Sequence, residues 1–221
     1  SMKVGEAIAE IMKREGVEVL CGYPVNHLIE YAAAKDIRPV MVRQERIGVH
    51  MADAISRLTS GEKIGAFCMQ HGPGAENAMG GVAQCYGESV PVLVLPMGYA
   101  RRLANIDPNF NSSQAMKAFL KSSEPINIAA EVGNIFRRAF TRLKNGRGGP
   151  VIVEIPADMW NEEVPEPLNY TPVLRTRYGA DPVHIKEAAA LLVNAKRPVI
   201  YAGQGVHYAK AWPQLKRLAE R

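Results

Sequence analysis

The sequence has 221 residues, of which 47% are hydrophobic, enough to bury one substantial core. No apolar run is long enough to span a membrane, and the N-terminus lacks the features of a signal peptide. The net charge of +5 comes partly from basic residues between 137 and 147. Because these residues have no interleaved aromatics and no recognisable motif, they indicate a solvated helix face rather than a nucleic-acid site.

Helical and strand patterns alternate as far as residue 156. Helices are predicted over 4–16, 26–35, from Glu45 onward, and over 73–87, 113–121 and 131–145. Strands are predicted over 17–24, 38–44, 63–70, 90–97 and 149–156. The strands are continuous apolar runs, which is typical of a sheet covered on both faces. The order therefore predicts an α/β fold with a doubly wound, mainly parallel sheet and helices on both faces.

The composition changes beyond residue 156. Five prolines between 156 and 182, without apolar periodicity, indicate a stiff and extended linker. A helix over 184–195, a strand over 197–206 and a helix ending at Arg221 follow, and together they are too short to enclose a core. They either pack on the first domain or form the truncated start of a second α/β domain. The strand followed by a glycine turn favours the second alternative.

Three cysteines, Cys21, Cys68 and Cys85, lie in apolar surroundings and show no CxxC spacing. They are predicted to be buried thiols of a cytoplasmic protein.

Ligands bind at the carboxyl ends of the strands in open parallel sheets, and residues 21–27, 43–45 and 69–77 stand at such ends. In the last segment, Gly72 and Gly74 permit a close backbone approach, and Pro73 suits the first turn of a helix. Asn77 replaces the third glycine of a dinucleotide fingerprint, so an anion cradle and a plain tight turn explain the pattern equally well. For His71 alone, a hydrogen-bonded structural role is the simpler interpretation.

Glu45 begins a helix with an apolar stripe that includes Ile47, Met51 and Leu58. A carboxylate at this place is either a charge favoured by the helix dipole or a group with chemistry to perform. The residues of the helix alone leave both alternatives open.

The segments GYP, RQE, HGPGAEN, SVPVLVLPMG and RGGPVIVEIPAD occur in an order that resembles the pyrimidine-binding domain of thiamine-diphosphate-dependent enzymes. The similarity is greatest to the group of acetolactate synthase, benzoylformate decarboxylase and pyruvate oxidase. It implies a pyrimidine-binding domain over 3–160, a linker over 161–181 and the start of the family's central domain over 182–221. The sequence has no GDG motif with a downstream NN pair, so the chain is expected to be an N-terminal fragment that is inactive alone.

The resemblance implies thiamine diphosphate and Mg²⁺ as cofactors, with no metal ligand in this chain because the metal site belongs to the absent C-terminal domain. FAD is compatible with the group, but nothing in the sequence supports it. The implied substrates are 2-oxo acids or related acyl donors, and the implied reactions are C–C cleavage, decarboxylation or acyl transfer. The implied assembly is a homodimer or homotetramer with active sites between subunits. The alternative is a non-catalytic module of the same fold that serves as a regulatory or assembly partner.

The resemblance also implies a role for Glu45. The glutamate at this position in the family hydrogen-bonds N1′ of the aminopyrimidine and favours the imino tautomer, whose 4′-nitrogen removes the thiazolium C2 proton. This work requires a carboxyl group that holds a proton near neutral pH. We therefore expect the apolar surroundings of the site to outweigh the helix dipole.

Other positions follow from the same resemblance. Tyr23, Pro24, Gln70, Pro73 and Asn77 match cofactor-binding positions. Residues of the implied substrate pocket are Val25, Asn26, His71, Phe110 and Asn111.

The sequence departs from acetolactate synthases in three segments. Val25 and Asn26 stand where those enzymes have two glycines, and Asn111 stands where they have glutamine. Ser123 and Glu124 lie where they have lysine. These departures put acetolactate synthesis in doubt and leave activation of the cofactor intact.

Overall fold

The computed structural model describes residues 1–221, which form two compact units, a first unit of residues 1–175 and a second unit of residues 176–221. The strands are β1 (Met2–Lys3), β2 (Val19–Gly22), β3 (Arg38–Met41), β4 (Gly65–Met69), β5 (Val92–Gly98), β6 (Ser122–Pro125), β7 (Val151–Pro156) and β8 (Glu163–Val164). Six of them form one sheet in the order β3-β2-β4-β5-β7-β6, and all of its pairings are parallel. The predicted α/β fold is confirmed.

The helices of the first unit are α1 (Val4–Arg14), α2 (Leu28–Ala33), α3 (Glu45–Leu58), α4 (Pro73–Gly87), α5 (Ser112–Ala115) and α6 (Val132–Lys144). Short 3-10 turns lie at 117–119 and 129–131. The helices of the second unit are α7 (Pro182–Asn194), α8 (Gln204–Tyr208) and α9 (Trp212–Ala219). None of the helices combines the length and apolar character that crossing a bilayer requires.

The central strands bury side chains on both faces of the sheet. In β5, Leu93 and Leu95 belong to one apolar cluster, whereas Val92 and Val94 belong to a second cluster on the opposite face. Helices α1, α2 and α6 contribute to the first cluster, and α3 and α4 contribute to the second. This arrangement explains why the strands are continuous apolar runs, since a strand covered on both faces has no side left for polar residues.

Helix α3 lies very close to the sheet. A Cβ atom at Gly48 would be only 2.2 Å from Cε2 of Phe67 on β4, so only glycine allows this approach. The close contact fixes the beginning of α3, and with it Glu45, against the carboxyl end of the sheet.

Some local predictions differ from the structure. The helix predicted over 113–121 is split into α5 and a 3-10 turn, and β6 was not predicted because its residues, Ser122–Pro125, lack an apolar pattern. The prediction of a strand over 197–206 is wrong, because most of this segment has no regular structure and α8 begins at Gln204. A strand needs a neighbour for its backbone hydrogen bonds, and the second unit contains no other strand.

Residues 161–175, which the sequence assigned to a linker, lie within the first compact unit. Tyr170 is buried there, and its hydroxyl donates to Oε1 of Glu15 at 2.6 Å. The backbone N–H of Val173 donates to the same oxygen at 2.8 Å. Lys144 forms an ion pair with Oε2 of Glu15, so that one buried carboxylate joins the end of α1, the end of α6 and the segment 170–173.

Burial, the hydrogen bond to Glu15 and the charge of that carboxylate raise the pKa of Tyr170 above its usual value. A tyrosine whose pKa is raised on folding stabilises the fold fully below the unfolded pKa of about 10. This contribution is lost as the pH rises beyond that value.

We therefore expect Tyr170→Phe to lower the free energy of unfolding by about 1–3 kcal/mol at pH 8, because a buried carboxylate loses a donor. The difference from the wild type should shrink between pH 9 and pH 11. Urea unfolding at several pH values measures both effects. Tyr178→Phe, at an exposed tyrosine, is the control and should change little. A difference that grew with pH would contradict this account.

Candidate functional site

The ends of β3, β2 and β4 form the carboxyl edge on which the predicted site lies. These strands are neighbours, and Gly22 at the end of β2 is in register with Met41 of β3 and Cys68 of β4. The segments that follow the three strands therefore leave the sheet side by side. The structure thus brings together the three segments that the sequence singled out.

Glu45 is the first residue of α3 and is only 5% exposed. Its carboxylate has neither a hydrogen bond nor an ion pair within the described chain. The nearest recorded neighbour is the turn that follows β4, since a Cβ atom at Gly74 would lie 3.5 Å from Oε1 of Glu45. Neither carboxylate oxygen is among the fully enclosed polar atoms that lack a partner, so the carboxylate of this buried residue is accessible from outside the chain and can bind a ligand, a water molecule or an ion.

The other buried carboxylates of the first unit all have partners. Asp53 binds Arg57 through two hydrogen bonds of 2.8 and 3.1 Å. Glu154 accepts hydrogen bonds from the hydroxyl of Ser112 and the backbone N–H of Ser113, and Glu15 is bound as described above. Glu45 differs from all three, so its position is not explained by the packing of the fold.

The turn between β4 and α4 fits closely beside Glu45. Gly72 has a φ angle of +58°, which favours glycine, and Pro73 begins α4. A side chain at Gly74 would collide with Gln70, whose Cγ lies 2.7 Å from the Cβ position. Gln70 and Glu45 therefore both border Gly74, and the missing side chain allows Gln70 to pack against the turn.

His71 lies against Tyr99 at the end of β5. The two rings are 4.4 Å apart and are nearly edge to face. Nδ1 of His71 is enclosed and has no hydrogen-bond partner, so the hydrogen-bonded structural role considered for this residue is not observed at that nitrogen. The sequence did not single out Tyr99, because only the order of the strands brings it to this turn.

Asn26 is held by backbone groups of the neighbouring strands. Its Nδ2 donates to the carbonyls of Met69 at 2.9 Å and Leu95 at 3.1 Å, and its Oδ1 accepts from Leu28 N at 3.0 Å. Its amide thus fastens the segment after β2 to the ends of β4 and β5. Tyr23 is half-buried on the same segment, whereas Pro24 and Val25 are exposed.

The remaining predicted residues lie further along the chain. Phe110 packs against the apolar cluster on the α3 and α4 side of the sheet. Asn111 caps α5, since its Oδ1 accepts from Gln114 N at 3.1 Å. Pro73 and Asn77 are exposed on the first two turns of α4. No recorded contact joins Phe110 or Asn111 to Glu45, so their assignment to the pocket stays a prediction.

The three cysteines are buried free thiols and are not part of the site. Burial raises the pKa of Cys21 to about 11 and also raises the pKa of Cys68. Burial and the neighbouring Asp53 carboxylate raise the pKa of Cys85. Since the thiolate is the nucleophilic form, none of the three is activated at neutral pH.

The described residues contain no group of three or more His, Cys, Asp or Glu side chains placed to hold a metal ion.

Comparisons with known proteins identify the family to which the chain belongs. The family described as "Thiamine pyrophosphate enzyme, N-terminal TPP binding domain" matches residues 2–121, and that enzyme family's central domain matches residues 185–221. The chain is 34% identical to the probable acetolactate synthase large subunit of Methanocaldococcus jannaschii over 99% of its length. It is 31% identical to the acetolactate synthase isozyme 3 large subunit of Escherichia coli over 97%. It spans 39% of the length of each of these relatives.

A solved structure, that of benzoylformate decarboxylase from Polynucleobacter necessarius, matches the whole chain with a TM-score of 0.89 and 25% identity. The match covers 42% of that protein. The chain therefore belongs to the thiamine pyrophosphate enzyme family and carries its N-terminal cofactor-binding domain.

Proposed function

We propose that this chain is the cofactor-activating part of a thiamine-diphosphate-dependent enzyme that cleaves or forms C–C bonds of 2-oxo acids or related acyl donors. The observation that carries the proposal is the carboxylate of Glu45, which belongs to a buried residue, has no partner within the chain and lies beside Gly74 at the carboxyl edge of the sheet. Family membership supports the cofactor, and the geometry of this chain supports the role of Glu45.

The residues at the carboxyl edge fit an aminopyrimidine ring. A ring nitrogen can supply the hydrogen-bond partner that Glu45 lacks, and the accessible carboxylate oxygens leave room for that contact. Tyr23, Pro24 and Gln70 would border the ring, and Pro73 and Asn77 would lie at the start of the adjoining helix. When bound, thiamine diphosphate would supply a nucleophilic carbon that adds to the 2-oxo carbonyl and a positively charged ring that takes up the electrons of the bond broken beside it.

In this mechanism Glu45 holds a proton at its carboxyl oxygen and shares it with N1′ of the pyrimidine. Helix α3 keeps the carboxylate at a fixed place because the missing side chain at Gly48 allows the helix to pack closely against β4. Gln70 is a neutral neighbour and adds no competing charge.

The proposal does not extend to acetolactate synthesis. The positions where the sequence departs from acetolactate synthases have structural partners here. Glu124 forms an ion pair with Arg138, and Ser123 donates to the carbonyl of Ser113 at 2.7 Å. We also propose a cytoplasmic location, which the unpaired cysteines favour.

The substitution Glu45→Gln tests the role of the carboxylate in the full-length enzyme. Glutamine keeps the size but cannot share a carboxyl proton, so we expect turnover to fall by roughly two to four orders of magnitude. Binding of thiamine diphosphate should persist and can be followed by calorimetry. The control is Glu76→Gln, which removes an exposed carboxylate from the first turn of α4. A Glu45→Gln enzyme as fast as the wild type would refute the assignment.

We also propose that the enzyme is at least a homodimer with active sites between subunits. On α3, Ile47 is 48% exposed and Leu58 is 81% exposed, and Met51 lies on the same face of the helix. The adjoining α4 exposes Tyr86 together with small residues at Gly80 and Ala83. Exposed apolar residues that share one face of α3, together with those of α4, support docking of a second copy.

Met51→Glu should dissociate the full-length dimer. In a symmetric interface the substitution occurs twice, and an unpaired buried charge costs about 3–5 kcal/mol. We therefore expect the dissociation constant to rise by at least about a hundredfold, as measured by sedimentation velocity. Ile128→Glu, at an exposed residue that follows β6 and belongs to neither helix, serves as the control. A wild-type enzyme that sedimented as an active monomer would rule out the proposal.

A third prediction concerns residues 1–221 alone. The resemblance implies that the diphosphate is held through Mg²⁺ by a domain that these residues do not contain. The remaining contacts to one pyrimidine ring hardly offset the cost of association, which is about 4–15 kcal/mol. We expect no binding of thiamine diphosphate tighter than about millimolar and no turnover. Calorimetric titration in the presence of Mg²⁺ is the measurement, and a micromolar constant would show that the chain holds a complete cofactor site.

A further inference from the structure

Tyr99 is a half-buried side chain that has no part in the proposed function. It directly follows β5, and its ring lies against the imidazole of His71, with the ring centroids 4.4 Å apart and the ring planes at 62°. Its hydroxyl oxygen would be only 3.1 Å from a Cβ atom at Gly72, so the missing side chain there leaves room for the hydroxyl. Tyr99 therefore contacts two successive residues of the turn that leads to Gly74 and Glu45.

The backbone on both sides of Tyr99 is fixed by other parts of the first unit. Before it, the carbonyl of Gly98 accepts a hydrogen bond from the N–H of Ala157 at 3.0 Å. After it, the backbone N–H of Arg101 donates to Oδ1 of Asp158 at 3.0 Å. The turn that follows β7 thus holds the backbone from which the Tyr99 ring extends toward His71.

The two ring nitrogens of His71 have different surroundings. Nδ1 is enclosed and has no hydrogen-bond partner, whereas Nε2 is not enclosed. A neutral imidazole carries its proton on one nitrogen, and the other nitrogen is an acceptor. A proton on Nδ1 would be a buried donor without an acceptor, which is rarer in folded proteins than a buried acceptor without a donor. The surroundings therefore favour the tautomer that carries the proton on Nε2.

We propose that Tyr99 is a positioning residue that acts through His71. Its ring encloses Nδ1 and keeps the proton on Nε2, so that His71 presents a hydrogen-bond donor at the carboxyl edge of the sheet. The ligand group that fits such a donor is an oxygen acceptor, either a carbonyl or a carboxylate oxygen. The identity of this ligand as a 2-oxo acid or acyl donor rests on the proposed function, whereas the tautomer is a property of residues 1–221.

Nitrogen-15 NMR of residues 1–221 at pH 9, above the usual histidine pKa of about 6.5, measures the tautomer. The two nitrogens of a single tautomer resonate far apart, whereas exchange between tautomers averages them. We expect widely separated resonances for His71, with the proton on Nε2, and averaged ones for the exposed His184. In Tyr99→Ala, water reaches Nδ1, and the His71 resonances should move toward those of His184. Tyr99→Phe keeps the ring and should keep the wild-type resonances.

Tyr31→Ala is the matched control for the loss of an aromatic ring. Tyr31 is also half-buried and stacks on another ring, that of Trp160, so its removal should leave the His71 resonances unchanged. The His71 resonances are assigned by their loss in His71→Ala. A proton on Nδ1 or averaged resonances in the wild type would refute the inference, and so would wild-type resonances in Tyr99→Ala.

A double-mutant cycle in the full-length enzyme tests whether Tyr99 acts through His71. Tyr99→Ala should lower kcat/KM for a 2-oxo acid by about tenfold, the scale of one hydrogen bond, and Tyr99→Phe should stay within about twofold of the wild type. In the His71→Ala background, Tyr99→Ala should have a further effect of less than about twofold. Losses that add in the double variant would show that Tyr99 acts independently of His71 and would contradict the proposed role.

The two measurements distinguish this inference from the function on which its ligand rests. If the full-length enzyme acts on 2-oxo acids and Tyr99→Ala leaves the His71 resonances unchanged, the role of Tyr99 is refuted and the proposed function stands. If the enzyme with thiamine diphosphate and Mg²⁺ acts on no 2-oxo acid or acyl donor, the proposed function fails, and the assigned ligand of His71 fails with it. The NMR result in residues 1–221 then still decides whether Tyr99 fixes the tautomer.

Discussion

Burial of the central strands on both faces is the constraint on which the first unit depends. Every residue of β4, β5 and β7 is buried, so helices must cover both sides of the sheet. Parallel strands also require each connection to return across the sheet, which places all the strand ends that lead into helices at one edge. The fully buried strands β4 and β5 have no room for polar side chains, so polar groups lie at that edge. The site therefore lies at this edge because helices cover both faces of the parallel sheet.

The free-energy cost of covering the Glu45 carboxylate indicates which kind of ligand this edge can bind. A ligand that covered Glu45 without bonding to it would leave a buried polar group without a partner, at a cost of about 1–3 kcal/mol, and more if the group is charged. The helix N-terminus contributes only about 0.3–1 kcal/mol in favour of a carboxylate, so the dipole does not offset the cost. A hydrogen-bond partner on the ligand would offset it, and in the proposed function a ring nitrogen of the cofactor is that partner and accepts the proton that Glu45 shares. The contrast with Asp53, which has Arg57 beside it, shows that the fold can supply a partner where only stability is at stake.

The sequence predicted those features that depend on strong local patterns. Apolar strands, the glycine turn at 72–74 and the helix beginning at Glu45 all follow from residue types and spacing, and the structure has them where they were expected. Features that depend on the spatial order of strands could not be predicted in the same way. Tyr99 reaches His71 only because β5 lies beside β4. The amide of Asn26 donates hydrogen bonds to carbonyls of residues that are 43 and 69 positions away in sequence. The segment over 197–206 has the composition of a strand, but composition cannot supply the neighbour that a strand requires.

The buried cysteines have a practical consequence for studying this protein. All three thiols are enclosed, and their raised pKa values keep them protonated at neutral pH. A single cysteine introduced on the exposed side of a helix outside the proposed dimer face, such as at Thr141 of α6, would present the most accessible thiol of the described chain. Spin labels or fluorophores could then be attached at one chosen place without first removing the native sulfur atoms. Because the native thiols are enclosed and protonated, site-directed spectroscopy of the surface requires only one added cysteine.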